Sequence, residues 1–173
     1  MQIGRIKINH FRIKVCIILV LGYLMPQHGV IPVANATKKD WNTDSYWYFP
    51  WGESGVHKGI DIFAKQGTPV LSSTPGLVIF KGELSRGGNV VAVLGPKWRI
   101  HYYAHLNSID AGWLDWSSAG EQIGRVGTSG NAKGKPAHLH YSVVTLVPNI
   151  GEITTETQGW KRMFYVNPPT VFS

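Results

Sequence analysis

The residues of this sequence whose types and spacing could do chemistry are histidines and one aspartate. His57 precedes Asp61 by four positions, and His138 and His140 flank a single leucine. Imidazoles and carboxylates are common ligands of zinc in proteins, and paired imidazoles also serve as acid–base catalysts. The pattern therefore predicts a metal site or an acid–base pair built from these side chains.

The spacing of His57 and Asp61 restricts the path of the chain between them. On a straight strand they would lie ~13 Å apart, whereas two ligands of one zinc each bring a donor atom within about 2.2 Å of it. Gly59 permits the necessary bend because it has no Cβ. The apolar residues and glycines nearby argue against a helix, so we expect His57 on a loop and Asp61 at the entry to a strand.

Other histidines lie on segments with strand character. Residues i and i+2 of a strand point to the same face, so His138 and His140 should share one face while Leu139 points to the core. His105 is distant in sequence, and its approach to the other histidines is a prediction. His101 would share the strand face of His105 about 13 Å away, too far for the same metal. We interpret it as a surface or packing histidine.

The segments that must position these side chains have β character. From residue 59 to residue 147, short runs rich in Val, Ile and Tyr alternate with Gly, Pro or Asn, as in short strands joined by turns. No window shows a sustained apolar period of 3.6 residues flanked by helix caps. We therefore predict an all-β fold: a single compact, mostly antiparallel β domain with its core at 52–147 and a closing segment at 148–173.

Aromatic residues are concentrated next to these motifs. Five of them fall between positions 46 and 51, directly before the first histidine motif. Aromatic rings bury large areas, so we expect this run to pack onto the domain, with a wall of a substrate groove as the alternative. Trp113 and Trp116 have the same two interpretations.

The first 36 residues have the order of a secretory signal peptide. A basic start without acidic residues precedes an apolar run at 15–25, and a small-residue A-x-A pattern ends at Ala36. We predict a signal peptide over 1–36, cleaved after Ala36, and a secreted or periplasmic domain at 37–173. The run is shorter than the ~20 residues that cross a bilayer. An uncleaved N-terminal membrane anchor is the alternative; after removal of the leader we expect no stable membrane insertion and a monomer.

Charge and cysteine content exclude several classes of function. Seventeen Lys and Arg against ten Asp and Glu give a formal net charge of +7, and four of the cations belong to the leader. The mildly basic remainder suits an anionic polymer such as the cell wall, and no Lys/Arg-rich block with interleaved aromatics indicates nucleic-acid binding. Cys16, the only cysteine, lies in the leader, which excludes a disulfide and a thiol nucleophile in the predicted mature domain.

Taken in order, the motifs resemble those of the lysostaphin/LytM-type zinc metallopeptidases, a family of peptidoglycan endopeptidases. HxxxD, YAHL and HLH in that order are a specific combination, and the likeness covers about half of the chain. It rests on HKGIDIFAKQGTPV (57–70), GLVIFKG (76–82), GGNVVAVL (87–94), HYYAHL (101–106), EQIGRVGTSGNAKGKPAHLHYSV (121–143) and the closing FYVNPP.

The resemblance implies a narrow groove across one sheet and a Zn²⁺ ion held by His57, Asp61 and His140. It also implies that His105 and His138 form the catalytic pair beside the metal. The substrates would be short peptides of peptidoglycan, in cross-links or in polyglycine bridges, with D-alanyl–diaminopimelate cross-links as our preference.

Three protein ligands leave a fourth position open, which is the pattern of a catalytic zinc that activates water. One of His105 and His138 would then transfer the proton, and the other would bind the oxyanion. The alternative is a non-catalytic regulator of cell-wall hydrolases that retains the fold, although relatives of that kind lack ligands that are present here. Ser142 replaces a glutamate of many members that is not a ligand, so this departure weakens no assigned role.

Overall fold

Strands begin where the sequence changes from polar and Gly-rich to Val, Ile and Tyr, the residues that suit a pleated, half-buried surface. The structure is a computed structural model that describes residues 10–172; Arg5 and Lys7 of the predicted leader lie outside them. Within the described residues the strands are β1 (Ile60–Phe63), β2 (Pro69–Leu71), β3 (Gly76–Leu84), β4 (Gly88–Gly95), β5 (Arg99–Ile109), β6 (Trp116–Ser117), β7 (Gln122–Val126), β8 (His138–Thr145) and β9 (Tyr165–Val166).

All the pairings between these strands are antiparallel. β1, β8, β5, β4, β3 and β6 lie side by side in that order. β9 pairs with β8, and β7 pairs with both β2 and the last part of β5. This topology confirms the predicted all-β, mostly antiparallel fold.

Helical structure is limited among residues 10–172. The α-helix α1 spans His10–Leu24, has no buried residue and lies beside Pro96–Trp98, where the Trp98 indole donates to the carbonyl of Leu19 at 2.8 Å. None of the described helices is long and apolar enough to span a membrane. Short 3₁₀ helices occur at Thr43–Ser45, Gly52–Ser54, Pro96–Trp98, Gly130–Ala132, Ile150–Glu152, Gly159–Phe164 and Pro168–Val171.

The hydrophobic core lies under one face of the central strands. Successive side chains of a strand point to opposite faces, so alternate residues of β1, β5 and β8 are fully buried, among them Ile60, Ile62, Tyr103, Leu139, Tyr141 and Val143. The residues between them, including Asp61 and His140, point to the other face. One face of the sheet therefore packs into the hydrophobic core, and the opposite face carries the polar groups.

The C-terminal segment covers one side of this core. Val171 is buried, and the ring of Phe172 stacks on Tyr141 and meets Trp41 edge to face, with centroids 5.9 and 5.8 Å apart. These contacts connect the end of the chain to the segment that precedes β1 and to the centre of β8.

Candidate active site

Three potential ligand atoms converge on the polar face of the sheet. Asp61 Oδ1 lies 2.8 Å from His140 Nδ1 and 3.1 Å from His57 Nε2, and the two imidazole nitrogens are 3.1 Å apart. Among the described residues these three side chains form a cluster that could hold a metal ion. A tetrahedral zinc with bonds of 2.0–2.1 Å separates its donor atoms by about 3.3 Å, close to the spacing found here.

Strand pairing and one close backbone approach bring this cluster together. Asp61 is directly opposite His140 in the antiparallel β1–β8 pair, where the Cβ atoms of partners lie about 5 Å apart. His57 lies in the loop before β1, as expected, and Asp61 is the second residue of the strand. A Cβ on Gly59 would lie 2.4 Å from the carbonyl oxygen of Tyr141, so only glycine allows the chain to pass this close to β8.

In each imidazole of the cluster, the outer nitrogen, which is the one that points away from Asp61, lies near a hydrogen-bond acceptor. His57 Nδ1 lies 3.0 Å from the carbonyl oxygen of Ser45. His140 Nε2 lies 3.0 Å from Ser142 Oγ, which donates its own proton to the carbonyl of Lys58 at 2.7 Å and so accepts from the imidazole. A neutral imidazole has one N–H, and these partners assign it to the outer nitrogen. The lone pairs of His57 Nε2 and His140 Nδ1 then face Asp61, and this arrangement fits a cation bound between the three side chains.

His105 and His138 lie beside this cluster and are held in the same way. His105 Nδ1 is 3.0 Å from the carbonyl oxygen of Ser129, and His138 Nδ1 is 2.8 Å from that of Pro136. Their ring centroids are 5.1 Å apart, and His138 Nε2 lies 3.8 Å from Asp61 Oδ2. Each ring therefore keeps Nε2 available on the groove side, as a proton acceptor when neutral.

An irregularity in β5 turns His105 into the groove. Residues i and i+4 of a regular strand share a face, yet His101 is fully buried whereas His105 lines the groove. The reason is that His105 has a φ of 64°, an uncommon backbone conformation for a residue other than glycine. The prediction that His101 and His105 share a face was therefore wrong. Of the two interpretations of His101, packing is correct: its Nδ1 bonds to the hydroxyl of Tyr141 at 2.5 Å in the core.

Burial and neighbouring groups set the protonation states in the site. Burial opposes ionisation of Asp61, but the hydrogen bonds that His140 Nδ1 and His57 Nε2 donate in the tautomers that carry the proton there outweigh it and hold the pKa of this carboxyl well below its usual range. Burial lowers the pKa of His140, against the opposing effect of Asp61. Burial, with the nearby His140 and His138, lowers the pKa of His105 to about 4. At neutral pH the carboxylate is ionised and both imidazoles are neutral, which are the forms that bind metals and accept protons.

The groove around these groups has a volume of about 460 Å³ and both aromatic and basic walls. The indole of Trp51 stacks on the His57 ring, with centroids 4.0 Å apart, and Phe63 packs against His138 at 5.4 Å. Other lining residues include Tyr102, Ala104, Arg86 and Lys135.

The two interpretations of the aromatic residues divide between individual side chains. In the run at 46–51, Trp47 is buried and packs on Tyr165, whereas Trp51 forms part of the groove wall. Trp113 and Trp116 are 66% and 63% exposed and are not among the residues that line the groove. Neither interpretation of these two tryptophans is therefore correct.

Sequence reasoning missed the groups that orient the imidazoles. The acceptors at Ser45, Ser129 and Pro136 are backbone carbonyls, which no side-chain pattern identifies. Ser142 had a signal, because it lies two residues after His140 on a strand and must share its face. In the sequence Ser142 stands out only as a departure from the family pattern, whereas in the structure it contacts His140.

Comparison with known proteins supports the resemblance. The model of "Peptidase family M23" matches residues 55–151. The L-Ala–D-Glu endopeptidase of Bacillus subtilis is 36% identical over 58% of this chain and 35% of its own length. The DD-carboxypeptidase/endopeptidase Mpg of Neisseria meningitidis is 40% identical over 50% of this chain and 19% of its own length. The match thus spans about a third or less of these relatives.

Solved structures show the same fold. A putative glycyl-glycine endopeptidase LytM from Ruminococcus gnavus superposes with a TM-score of 0.63 at 27% identity, covering 89% of this chain and 62% of that one. The catalytic domain of the M23 protein EnpA from Enterococcus faecalis gives a TM-score of 0.60 at 26% identity, covering 82% and 95%. The family model matches more than half of the sequence, and the groove described above agrees with it. This chain therefore belongs to peptidase family M23.

Proposed function

We propose that this protein is a secreted zinc metalloendopeptidase that hydrolyses peptide bonds in peptidoglycan. The observation that carries the proposal is the convergence of His57, Asp61 and His140 within 3.1 Å of one another. His105 and His138 lie beside them in the same groove. Family membership supports a peptidase; the identity of the metal and the roles of individual residues are our inference.

His57, Asp61 and His140 would hold the zinc through Nε2, Oδ1 and Nδ1. Two nitrogens and one oxygen are a donor set that zinc accepts in catalytic sites, where three protein ligands leave a position for water or substrate. When bound, zinc supplies a Lewis acid that activates water and polarises the scissile carbonyl. Ser142 and the carbonyl of Ser45 would keep the ligand nitrogens unprotonated by accepting the N–H on the far side of each ring.

His105 and His138 would move protons and bind developing charge. With Nδ1 donating to a backbone carbonyl, Nε2 of each ring accepts a proton when neutral and donates one afterwards. One ring would take the proton of the attacking water and pass it to the leaving amine. The other, with a proton taken up from solvent on Nε2, would donate a hydrogen bond to the oxyanion. Phe63 and Trp51 would exclude bulk water from this side of the groove.

The substrate we propose is a peptide of peptidoglycan that carries free carboxylates. Two relatives are named as an L-Ala–D-Glu endopeptidase and a DD-carboxypeptidase/endopeptidase. The rim of the groove contains Lys135 and also Arg86, whose guanidinium pairs with Glu53 at 2.7 Å. Cations attract carboxylated stem peptides through charge–charge interactions, whereas a polyglycine bridge offers no carboxylate between its ends. Among the bonds of such peptides, the D-alanyl–diaminopimelate cross-link is the one that we prefer.

Digestion of purified peptidoglycan tests the proposal. The metal-loaded protein should release muropeptides that mass spectrometry identifies, a chelator should abolish the reaction, and added Zn²⁺ should restore it. Asp61→Asn and His140→Ala should lose both bound zinc and cleavage. Full zinc occupancy without any cleavage of peptidoglycan would contradict the proposal and favour a regulatory protein that retains the fold.

A further inference from the structure

We propose that residues 27–36 are a permanent part of the folded domain, so that any removal of the leader occurs before Gln27 rather than after Ala36. The proposal concerns processing of the chain and does not depend on the peptidase activity. It rests on how this segment, here called the N-terminal segment, is bound to the rest of the molecule.

Backbone hydrogen bonds connect the N-terminal segment to two separate parts of the domain. The amide of Gly29 donates to the carbonyl of Val171 at 2.8 Å, and the amide of Val30 donates to that of Ser73 at 2.8 Å. Further along, the amide of Ala34 donates to Pro69 O at 3.0 Å, and Leu71 donates to Pro32 O at 3.0 Å. The segment therefore extends the sheet at the edge of β2 and lies against the C-terminal residues.

Side chains of the N-terminal segment belong to the core. Val33 is 2% exposed and is part of the same cluster as Ile62 and Tyr141, and Ile31 and Ala36 pack against that cluster. Close packing also restricts Gly29, where a Cβ would lie 2.5 Å from the carbonyl oxygen of Val171. A cut after Ala36 would remove these groups and expose the apolar surface that they cover.

A second contact joins the N-terminal segment to β5. Gln27 Nε2 lies 2.9 Å from Nε2 of the buried His101, and the side-chain oxygen of Gln27 accepts from Arg99. Loss of Gln27 would leave the imidazole and the guanidinium without these partners in a partly buried place, which is costly for polar groups. The segment thus satisfies polar groups as well as covering the core.

The preceding helix contrasts with the N-terminal segment. α1 ends at Leu24 and has no buried residue, and Pro26 follows, which cannot continue a helix because it lacks an N–H. Residues of α1 such as Leu19 and Leu24 are 51% and 66% exposed. The change from an exposed apolar helix to a packed extended chain lies between Leu24 and Gln27, and this is where we place the boundary between leader and domain.

The first test is the N-terminus of the exported protein. The full chain is expressed in a Gram-negative host, the folded periplasmic and membrane-bound forms are purified, and their intact masses are measured. We expect each folded form to begin at or before Gln27, and an uncleaved chain meets this expectation. A folded form that begins after Gln27, such as one that begins at Thr37, would overturn the proposal.

The second test uses two valines of the N-terminal segment. Val33 is buried, whereas Val30 is 37% exposed, so Val33→Ala and Val30→Ala are a matched pair in the exported protein. We expect Val33→Ala to lower the Tm by roughly 3–8 °C and Val30→Ala to leave it within about 1 °C. If residues 27–36 are removed during export, neither substitution remains in the product and both proteins melt like the wild type, which would contradict the proposal.

Discussion

Replacing Ser142 with alanine should weaken zinc binding without removing a ligand. Ser142 Oγ accepts from His140 Nε2 at 3.0 Å and donates to the carbonyl of Lys58 at 2.7 Å. Without the hydroxyl, the imidazole proton has no acceptor on that side, and the tautomer with the proton on Nδ1 becomes favourable, because Asp61 Oδ1 lies 2.8 Å from that nitrogen. A proton on Nδ1 blocks the lone pair that would bind the metal.

The magnitude follows from the cost of leaving the partly buried donor of His140 without a partner. That cost is about 1–3 kcal/mol, and every ~1.4 kcal/mol is a tenfold change in affinity. The change of tautomer avoids part of this cost in the metal-free protein. Metal binding must then reverse the change of tautomer, so the avoided part of the cost weakens zinc binding. We therefore expect the Kd for Zn²⁺ to rise about 10–100-fold in Ser142→Ala, the range typical of partners that orient metal ligands.

The assay is a competition for zinc between the purified protein and a fluorescent chelator of known affinity. Ser72→Ala is the matched control, because Ser72 is also buried and donates to a backbone carbonyl, that of Thr74 at 2.8 Å, without contacting a histidine. We expect the control to lose stability but to keep the wild-type Kd. A zinc affinity of Ser142→Ala within twofold of the wild type, in a protein that is folded by circular dichroism, would refute this reasoning.

Three further predictions concern the proton-transfer pair, pH and the basic rim. His138→Ala and His105→Ala should each keep one zinc per chain by elemental analysis and lose at least about 100-fold in kcat/KM for a muropeptide; loss of zinc from either variant would contradict their placement beside the metal. Burial lowers the pKa of His101 to about 3 in the folded protein, whereas the unfolded value is ~6.5. Below pH 6.5 the unfolded chain therefore binds a proton that the folded protein does not, and stability is lost as pH falls from 6.5 toward 3. The loss of stability at pH 5 amounts to about 2 kcal/mol. Urea unfolding should therefore show that His101→Gln loses less stability than the wild type between pH 7 and pH 5. Equal losses in the two proteins would contradict this effect of His101. Lys135→Gln should raise the KM for a carboxylated stem peptide more than for its amidated form, with Lys133→Gln as the control outside the groove; equal effects on both substrates would contradict a role in charge recognition.

Much of the site could be predicted because the separation of its residues in the sequence determines their relative positions on a strand or across a bend. His138 and His140 share a strand face through the two-residue period of β8, and the HxxxD spacing required the bend that occurs at Gly59. The short runs rich in Val, Ile and Tyr, separated by Gly, Pro or Asn, also indicated antiparallel strands. These are local rules, and they hold because strands and tight turns depend mainly on neighbouring residues.

Other features depend on contacts between distant parts of the chain and could not be predicted in this way. The left-handed conformation of His105 accompanies irregular pairing of β5 with β4 and β7, and nothing in the sequence YAHL indicates it. The burial of His101 depends on Tyr141, forty positions away. The small residues at the end of the predicted leader matched a cleavage pattern, while the packing of Val33 against the core is visible only in the folded chain.

Anomalous scattering at the zinc absorption edge, recorded from crystals of the zinc-loaded protein, is the most direct test of the proposed metal centre. We expect one strong peak within about 2.0–2.2 Å of His57 Nε2, Asp61 Oδ1 and His140 Nδ1, with no fourth protein ligand. A peak bound elsewhere, or one closed by a fourth side chain such as His138, would contradict a catalytic zinc at this position.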